Sequence, residues 1–264
     1  MKPLLAVLLL AAGWLCPCAE AQQDDAARKQ FLEYKAKAEQ GNLDAQYIIG
    51  LSWINGEGVE KDFVEAVKWF RKTAARGLPD GQFSLGVCYA KGEGVEKDDV
   101  EAVKWYRKAA EQGLTLAQTN LGLCYAKGEG VEKDYTEATK WFRKAAEQGE
   151  ATAQNSLARQ YARGEGVEKD FVEAVKWFRK AAEQGDVNAQ YLLGLTYASG
   201  KDVAKDYAEA YAWLNLAAAA DPRAGKDRDA LEKKMTPQQV GDAQKRTREL
   251  RAMIEASAKA KAAK

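Results

Sequence analysis

The stretch GEGVEKDFVEAVKWFRKTAARG, residues 56–77, decides the fold. Gly56 and Gly58 punctuate a turn, and Asp62 with Glu65 three residues on reads as a helix start with a capping box. Behind the cap, Phe63, Ala66, Val67, Phe70, Thr73 and Ala74 form one stripe of a helix, while Glu65, Lys68, Arg71 and Lys72 form the opposite one. Gly77 closes it. Upstream, Ala45, Ile49 and Trp53 are spaced four apart, so a first helix ends at Gly56. Gly50 beside that face lets a neighbouring helix approach closely. Residues 42–77 are therefore a helical hairpin.

The hairpin recurs. Gly-Glu-Gly-Val begins at Gly56, Gly92, Gly128 and Gly164, and a degraded Gly-Lys-Asp-Val begins at Gly200. Trp69, Trp105, Trp141, Trp177 and Trp213 keep the same interval of 36, as do the caps Asp62, Asp98, Asp134, Asp170 and Asp206. A fixed period of this size marks a solenoid, in which each unit buries its apolar face only against its neighbours. The expected fold is all-α: a right-handed α/α superhelical solenoid of five 36-residue units. The expected division is a signal peptide over 1–21, an N-terminal half-repeat over 22–41, five repeats over 42–221, and capping helices with a basic tail over 222–264.

Composition narrows the function. Lys+Arg number 40 and Asp+Glu 39 in 264 residues, so the basic face needed to displace counterions from nucleic acid is missing, and no nucleic-acid partner is expected. There is no histidine, which removes the Ser-His-Asp and Cys-His arrangements and histidine zinc ligands. The Gly-Glu-Gly-Val loops follow no strand and lack the Lys-Ser/Thr of a P-loop; they also lack calcium-ligand spacing. Neither a catalytic residue, a cofactor nor a metal is expected. Lys2, the apolar run Leu4 to Leu15 and the small-x-small site Ala19-Glu20-Ala21 read as an export signal, with a mature start at Gln22. The run is short for a membrane span of about 20 residues, so no transmembrane segment is expected. Of four cysteines, Cys88 and Cys124 remain after Gln22, one repeat apart; equivalent positions in stacked helices lie roughly 9–10 Å apart, beyond an unstrained disulfide, so they read as two packing residues, with a strained or intermolecular bridge as the alternative.

With Ala117, Leu121, Gly122, Tyr125, Gly128, Gly130, Val131, Asp134, Ala138, Trp141, Lys144 to Ala146 and Gly149 at these spacings, the chain resembles the Sel-1-like repeat family over residues 26–221. Tetratricopeptide units are nearer 34 residues and lack the Gly-x-Gly-Val loop. The resemblance implies an adaptor that holds protein partners in signalling, secretion, envelope or host-contact settings. It implies, for this chain, a bacterial protein that is periplasmic or secreted. An exported branch of the family with two cysteines per repeat is linked to penicillin binding; no repeat here has such a pair, and no Ser-x-x-Lys setting is present. A cell-envelope enzyme or β-lactam-related protein is the alternative reading, and self-assembly a third.

The resemblance also implies that first helices line the concave side, where a protein or peptide would bind. Side chains opposite the core face there are Tyr47, Phe83, Lys91, Lys127, Asn155, Arg159, Arg163 and Tyr191, the candidate partner-binding residues. Leu51, Val87, Leu123 and Leu195 at the same positions read as packing against the next repeat. Arg159 breaks that aliphatic series, and with Arg163 one turn on it forms a fork suited to a carboxylate. The tryptophan column reads as core rather than as a stacking ladder. In the fifth repeat the Arg-Lys pair of repeats one to four (Arg71-Lys72 onward) becomes Asn215-Leu216, so something is expected to pack on Leu216. Lys226–Met235 and a helix begun by Thr236-Pro237 and running to about Ala258 are the candidates.

Overall fold

A computed structural model describes residues 17–200 and 203–262. Most of the expected export signal, residues 1–16, lies outside the described residues, as do Lys201 and Asp202 of the degraded fifth loop and Lys264 of the tail. Every regular element among the described residues is a helix: α1 (Pro17–Glu39), α2 (Leu43–Asn55), α3 (Phe63–Ala75), α4 (Pro79–Lys91), α5 (Asp99–Glu111), α6 (Thr115–Lys127), α7 (Tyr135–Glu147), α8 (Ala151–Arg163), α9 (Phe171–Ala182), α10 (Val187–Ser199), α11 (Tyr207–Ala217), α12 (Pro222–Glu232) and α13 (Pro237–Ala262). Even-numbered helices α2 to α10 are the first (A) helices of the hairpins and odd-numbered α3 to α11 the second (B) helices. The chain divides into two compact units, one ending at Lys97 and the other beginning at Asp98. Within each, consecutive helices pack side by side, the arrangement of an all-α solenoid.

Each B helix starts as its sequence dictates. The Asp62 carboxylate accepts from the Val64 and Glu65 amides at 2.8 and 3.0 Å, Asp134 caps α7 in the same way, and Asp170 and Asp206 cap α9 and α11 through the amides of Glu173 and Glu209. The reciprocal half of the expected capping box is not made. Glu65, Glu101, Glu137 and Glu173 pair instead with Lys68, Lys104, Lys140 and Lys176 one turn on. The amide of the cap reaches back to the A helix: Asp62 to the Trp53 carbonyl at 3.0 Å, Asp134 to Tyr125 at 3.0 Å. A tertiary acceptor has replaced the local one. Thr236 and Gln239 do form the full box at the start of α13.

The turn between A and B helices needs both glycines, for different reasons. Gly56 ends α2 in the left-handed region at φ 78°, its amide on the Ser52 carbonyl at 2.8 Å. Gly58 lies against the backbone carbonyl of Ala27 so closely that a Cβ has no room; Gly94 meets Phe63, Gly130 meets Asp99 and Gly166 meets Tyr135 likewise. The second glycine is thus a contact between repeats.

The core is a line of fully buried side chains, among them Ile49, Phe70 and Leu85 in the first unit and Leu121, Phe142, Leu157 and Leu193 in the second. Trp69 and Trp213 are buried and the other three column tryptophans half-buried. A lysine roofs each of the first four rings, Lys72, Lys108, Lys144 and Lys180 standing 3.7, 4.0, 4.2 and 4.0 Å from the ring centres. In the fifth repeat the roof is α13. Leu216 and Trp213 share a cluster with Leu250 and Ile254, Ala212 is fully buried where Lys68 to Lys176 were solvated, and Glu209 turns from that lysine to Arg246 at 2.6 Å. Asn215 accepts from Arg228 of α12 at 2.8 Å. α12 begins four residues earlier than the sequence reading placed it, because Asp221 caps it ahead of Pro222.

Candidate interaction surface

The structure scatters the eight candidate residues over two units. In the first, Tyr47 is half-buried with its ring tilted on Phe70, centres 5.9 Å apart, so it is largely a packing residue. Phe83 is half-buried, and Lys91 is exposed with its ammonium 3.7 Å from Glu93.

The second unit brings four candidates together. One cavity of about 200 Å³ is bordered by Leu123 and Lys127 of α6, Tyr135 and Phe142 of α7, and Arg159 and Arg163 of α8. A second, about 330 Å³, has Arg159 and Arg163 on one side, Phe178, Tyr191 and Leu192 on the other, and Arg223 of α12 at its end. The two arginines are common to both. Lys127 and Arg163 stand 3.5 and 3.7 Å from the loop carboxylates Glu129 and Glu165, too long for tight pairing. Arg159 is exposed and has no hydrogen bond or ion pair among the described residues. Its guanidinium is an uncompensated, five-donor cation on an otherwise half-apolar surface.

Asn155 does not belong to this surface. It is buried, and its Nδ2 donates to Asp186 at 3.0 Å across to the next repeat. Thr119 makes the equivalent contact with Glu150 at 3.3 Å, and the Tyr191 hydroxyl donates to Asp227 at 2.8 Å. Position 119/155/191 is therefore a latch between layers, and only the ring of Tyr191 faces the cavity. Burial pushes the Asp186 carboxyl above its ordinary range and the nearby Glu150 adds to this, against the hydrogen bonds from Ala189, Asn188 and Asn155. The four aliphatic residues Leu51, Val87, Leu123 and Leu195 are half-buried; Leu195 packs on the α11–α12 cluster, whereas Leu123 lines the first cavity.

Arg223 was not legible as a site residue. Its guanidinium is clamped by Asp221 at 2.8 to 3.1 Å and lies 5.1 Å from the Tyr191 ring centre, a placement that follows from the cap of α12. Gln160 was missed too: it replaces the small Ser52, Cys88, Cys124 and Thr196 of the other repeats, directly beside Arg159. Cys88 and Cys124 are free and buried, and burial raises both thiols to about 11. Among the described residues no group of three or more acidic or cysteine side chains is placed to hold a metal ion, and no helix is long and apolar enough to cross a membrane.

Comparison with known proteins bears on what such a surface serves. The chain matches the model described as the Sel1 repeat at residues 43–78, 79–114, 115–150, 151–186 and 187–222. It is similar to the crystal structure of c5321, a protective antigen present in uropathogenic Escherichia coli strains displaying an SLR fold, with 39% identity over 88% of this chain and a TM-score of 0.81. The chain spans 50% of that protein's length. It is also similar to a Sel1 repeat protein from Oxalobacter formigenes: 37% identity, 76% of this chain, 85% of that one, TM-score 0.67. Among curated proteins no match was found.

Proposed function

The chain belongs to the Sel1 repeat family, and from that premise we propose that it is an exported, non-enzymatic scaffold that binds a protein or peptide partner through the A-helix surface of its second unit. Sel1 repeat proteins in general serve protein–protein interaction. Lys127, Arg159, Arg163 and the ring of Tyr191 are the partner-binding residues, joined by Arg223. The partner presents acidic groups on an extended or helical segment. Export rests on Lys2, the apolar run and Ala19-Glu20-Ala21, and leads to the periplasm or the medium of a bacterial cell.

One observation carries this reading. Arg159 stands unpaired on the wall common to two adjoining cavities, where its own repeat series calls for an aliphatic side chain. A guanidinium with no internal carboxylate is held ready for an external one, and a charge-assisted contact of this kind is worth about 1.5–3 kcal/mol.

The test is binding to an array of dodecapeptides in which each Asp/Glu peptide has an Asn/Gln twin. Acidic peptides are expected to bind the chain and to lose roughly tenfold or more in affinity with Arg159→Ala/Arg163→Ala. Equal binding of both twins, or undiminished binding by the double variant, would overturn the assignment.

A further inference from the structure

The N-terminal helix α1 stands in the place of a B helix, and two markers fix its register. Its Ala27 carbonyl is met by Gly58 as that of Phe63 is by Gly94. Its Ala38 carbonyl accepts from Gln46 at 3.0 Å as that of Ala74 accepts from Gln82 at 3.4 Å. Both markers lie 36 residues before their counterparts.

That register gives a meaning to the cavity of about 370 Å³ at this edge, which Ala27 and Tyr34 of α1 and Ile48, Ser52 and Glu57 of the following hairpin line. Three repeats further on, the equivalent residues are Tyr135, Phe142, Ser156, Gln160 and Glu165, which line the cavity beside α6. There, Leu123, Ala126 and Lys127 of α6 supply the remaining wall. No described residue supplies it at the N-terminal edge.

What fills this position inside the array follows two rules. Where an A helix crosses its B helix it carries glycine, or alanine in α8 (Ala158 against Phe178): a Cβ on Gly122 would lie 2.7 Å from the Phe142 ring, one on Gly50 2.5 Å from Phe70, and one on Gly194 2.7 Å from Leu214. Tyr34 is the large residue at that crossing on α1. Five residues after the crossing, α4, α6 and α8 carry Lys91, Lys127 and Arg163, each 3.5 to 3.7 Å from the carboxylate two residues on in its own loop, and Lys127 lines one cavity with Glu165 of the next repeat, the counterpart of Glu57. In the first repeat Asn55 takes the place of that cation, and Glu57 has no cationic partner among the described residues, only the Asn55 amide at 3.0 Å.

We propose that the edge formed by α1 and α2 is a seat for an α-helix donated by a separate protein. That helix has glycine or alanine where it crosses Tyr34 and a lysine or arginine five residues later, facing Glu57, and it continues the array by one layer. The contact is heterologous, a helix laid in a groove, and its specificity is both steric and charged.

The probe is a synthetic peptide of this chain's own residues 115–127, which carries Gly122 and Lys127 in the required register, titrated under reducing conditions into the full chain and followed by amide NMR shifts. Shifts are expected at the amides of residues 27–34 and 48–57. The Gly122→Leu peptide should bind roughly tenfold more weakly, because its side chain overlaps the Tyr34 ring. The Lys127→Glu peptide should weaken severalfold and recover with the Glu57→Lys chain, whose exposed substitution leaves the core intact. Absence of shifts at these amides, or equal binding of all three peptides, would overturn the proposal. So would shifts there that grow with the chain's own concentration without peptide, because they would put a second copy on the seat.

Discussion

The Nε2 of Gln118 donates to the carbonyl oxygen of Ala110 at 3.1 Å, from the first turn of one helix to the last turn of the helix before it. Gln46, Gln154 and Gln190 make the same bond to Ala38, Ala146 and Ala182 at 3.0 to 3.1 Å, and Gln82 makes a longer one to Ala74. Each acceptor lies at a helix end and also takes the amide of the glycine three residues on, Gly113 to Ala110 at 3.0 Å for example, so the glutamine is a second donor to it. The glutamine column ties each helix to the one before it in the dry space between repeats. Gln118 and Gln154 are themselves held by Gln148 and Gln184 at 2.8 and 2.7 Å. In the first repeat Arg76 replaces that second glutamine and bonds Gly41 instead, which leaves Gln46 Oε1 buried without a partner.

Gln154→Ala is therefore expected to destabilise the chain by about 0.5–1.5 kcal/mol, the net worth of one hydrogen bond, because the Ala146 carbonyl keeps the Gly149 amide. Gln40→Ala, at an exposed position in the turn after α1, should cost less. Urea unfolding of the two variants at constant m-value checks the order.

Gly130→Ala and Gly149→Ala separate backbone strain from contact. Both residues have positive φ, 68° and 93°, so each variant bears the left-handed cost of about 1–2 kcal/mol. Nothing lies within 4 Å of a Cβ at Gly149, whereas one at Gly130 overlaps the Asp99 backbone. Gly130→Ala should lower the melting temperature clearly more, and equal melting would show the loop can move away from α5.

Asp186→Asn tests the buried cap. The folded-state pKa of Asp186 lies above its ordinary value, so the folded chain binds that proton more readily than the unfolded one. Ionised Asp186 consequently costs stability above the folded pKa, and the cost fades as pH falls through it toward the ordinary carboxylate value of about 4. Asparagine caps about as well and keeps an oxygen for the Ala189 amide. The variant should be at least as stable as the wild type near pH 7, with the difference shrinking on acidification. Chemical denaturation across that range is the measurement.

Removal of residues 237–264 takes away the cover of Trp213 and Leu216, both packed with Leu250 and Ile254. The truncated chain should aggregate or melt at a lower temperature. Leu216→Lys, which restores the residue found in repeats one to four, should destabilise by roughly 2 kcal/mol because its ammonium meets the apolar side of α13. An unchanged melting curve in both would show that α13 is not a cap.

Much of this architecture was legible because helix ends are local. Asp62 and its counterparts cap amides within three residues, and Gly56 turns left-handed wherever the chain runs. The capping boxes were misread for a related reason: the cap amide had a tertiary acceptor, the Trp53 or Tyr125 carbonyl, that periodicity does not reveal. Asn155 looked exposed because its helical position is opposite the core face; its partner Asp186 lies 31 residues away. Arg159 stood out by breaking an aliphatic series, but Arg223, which closes the same cavity, had no periodic signal.

By itself the sequence determined the hairpins, their number and their repeat of 36, because caps, left-handed glycines and apolar stripes act within a few residues of chain. Tertiary structure alone decided which side chains latch one layer to the next, that the second glycine of each loop is a contact, and that Arg159 is left unpaired between two cavities. Those outcomes depend on groups brought together from 8 to more than 30 residues apart, and packing, not local propensity, chooses among the partners within reach.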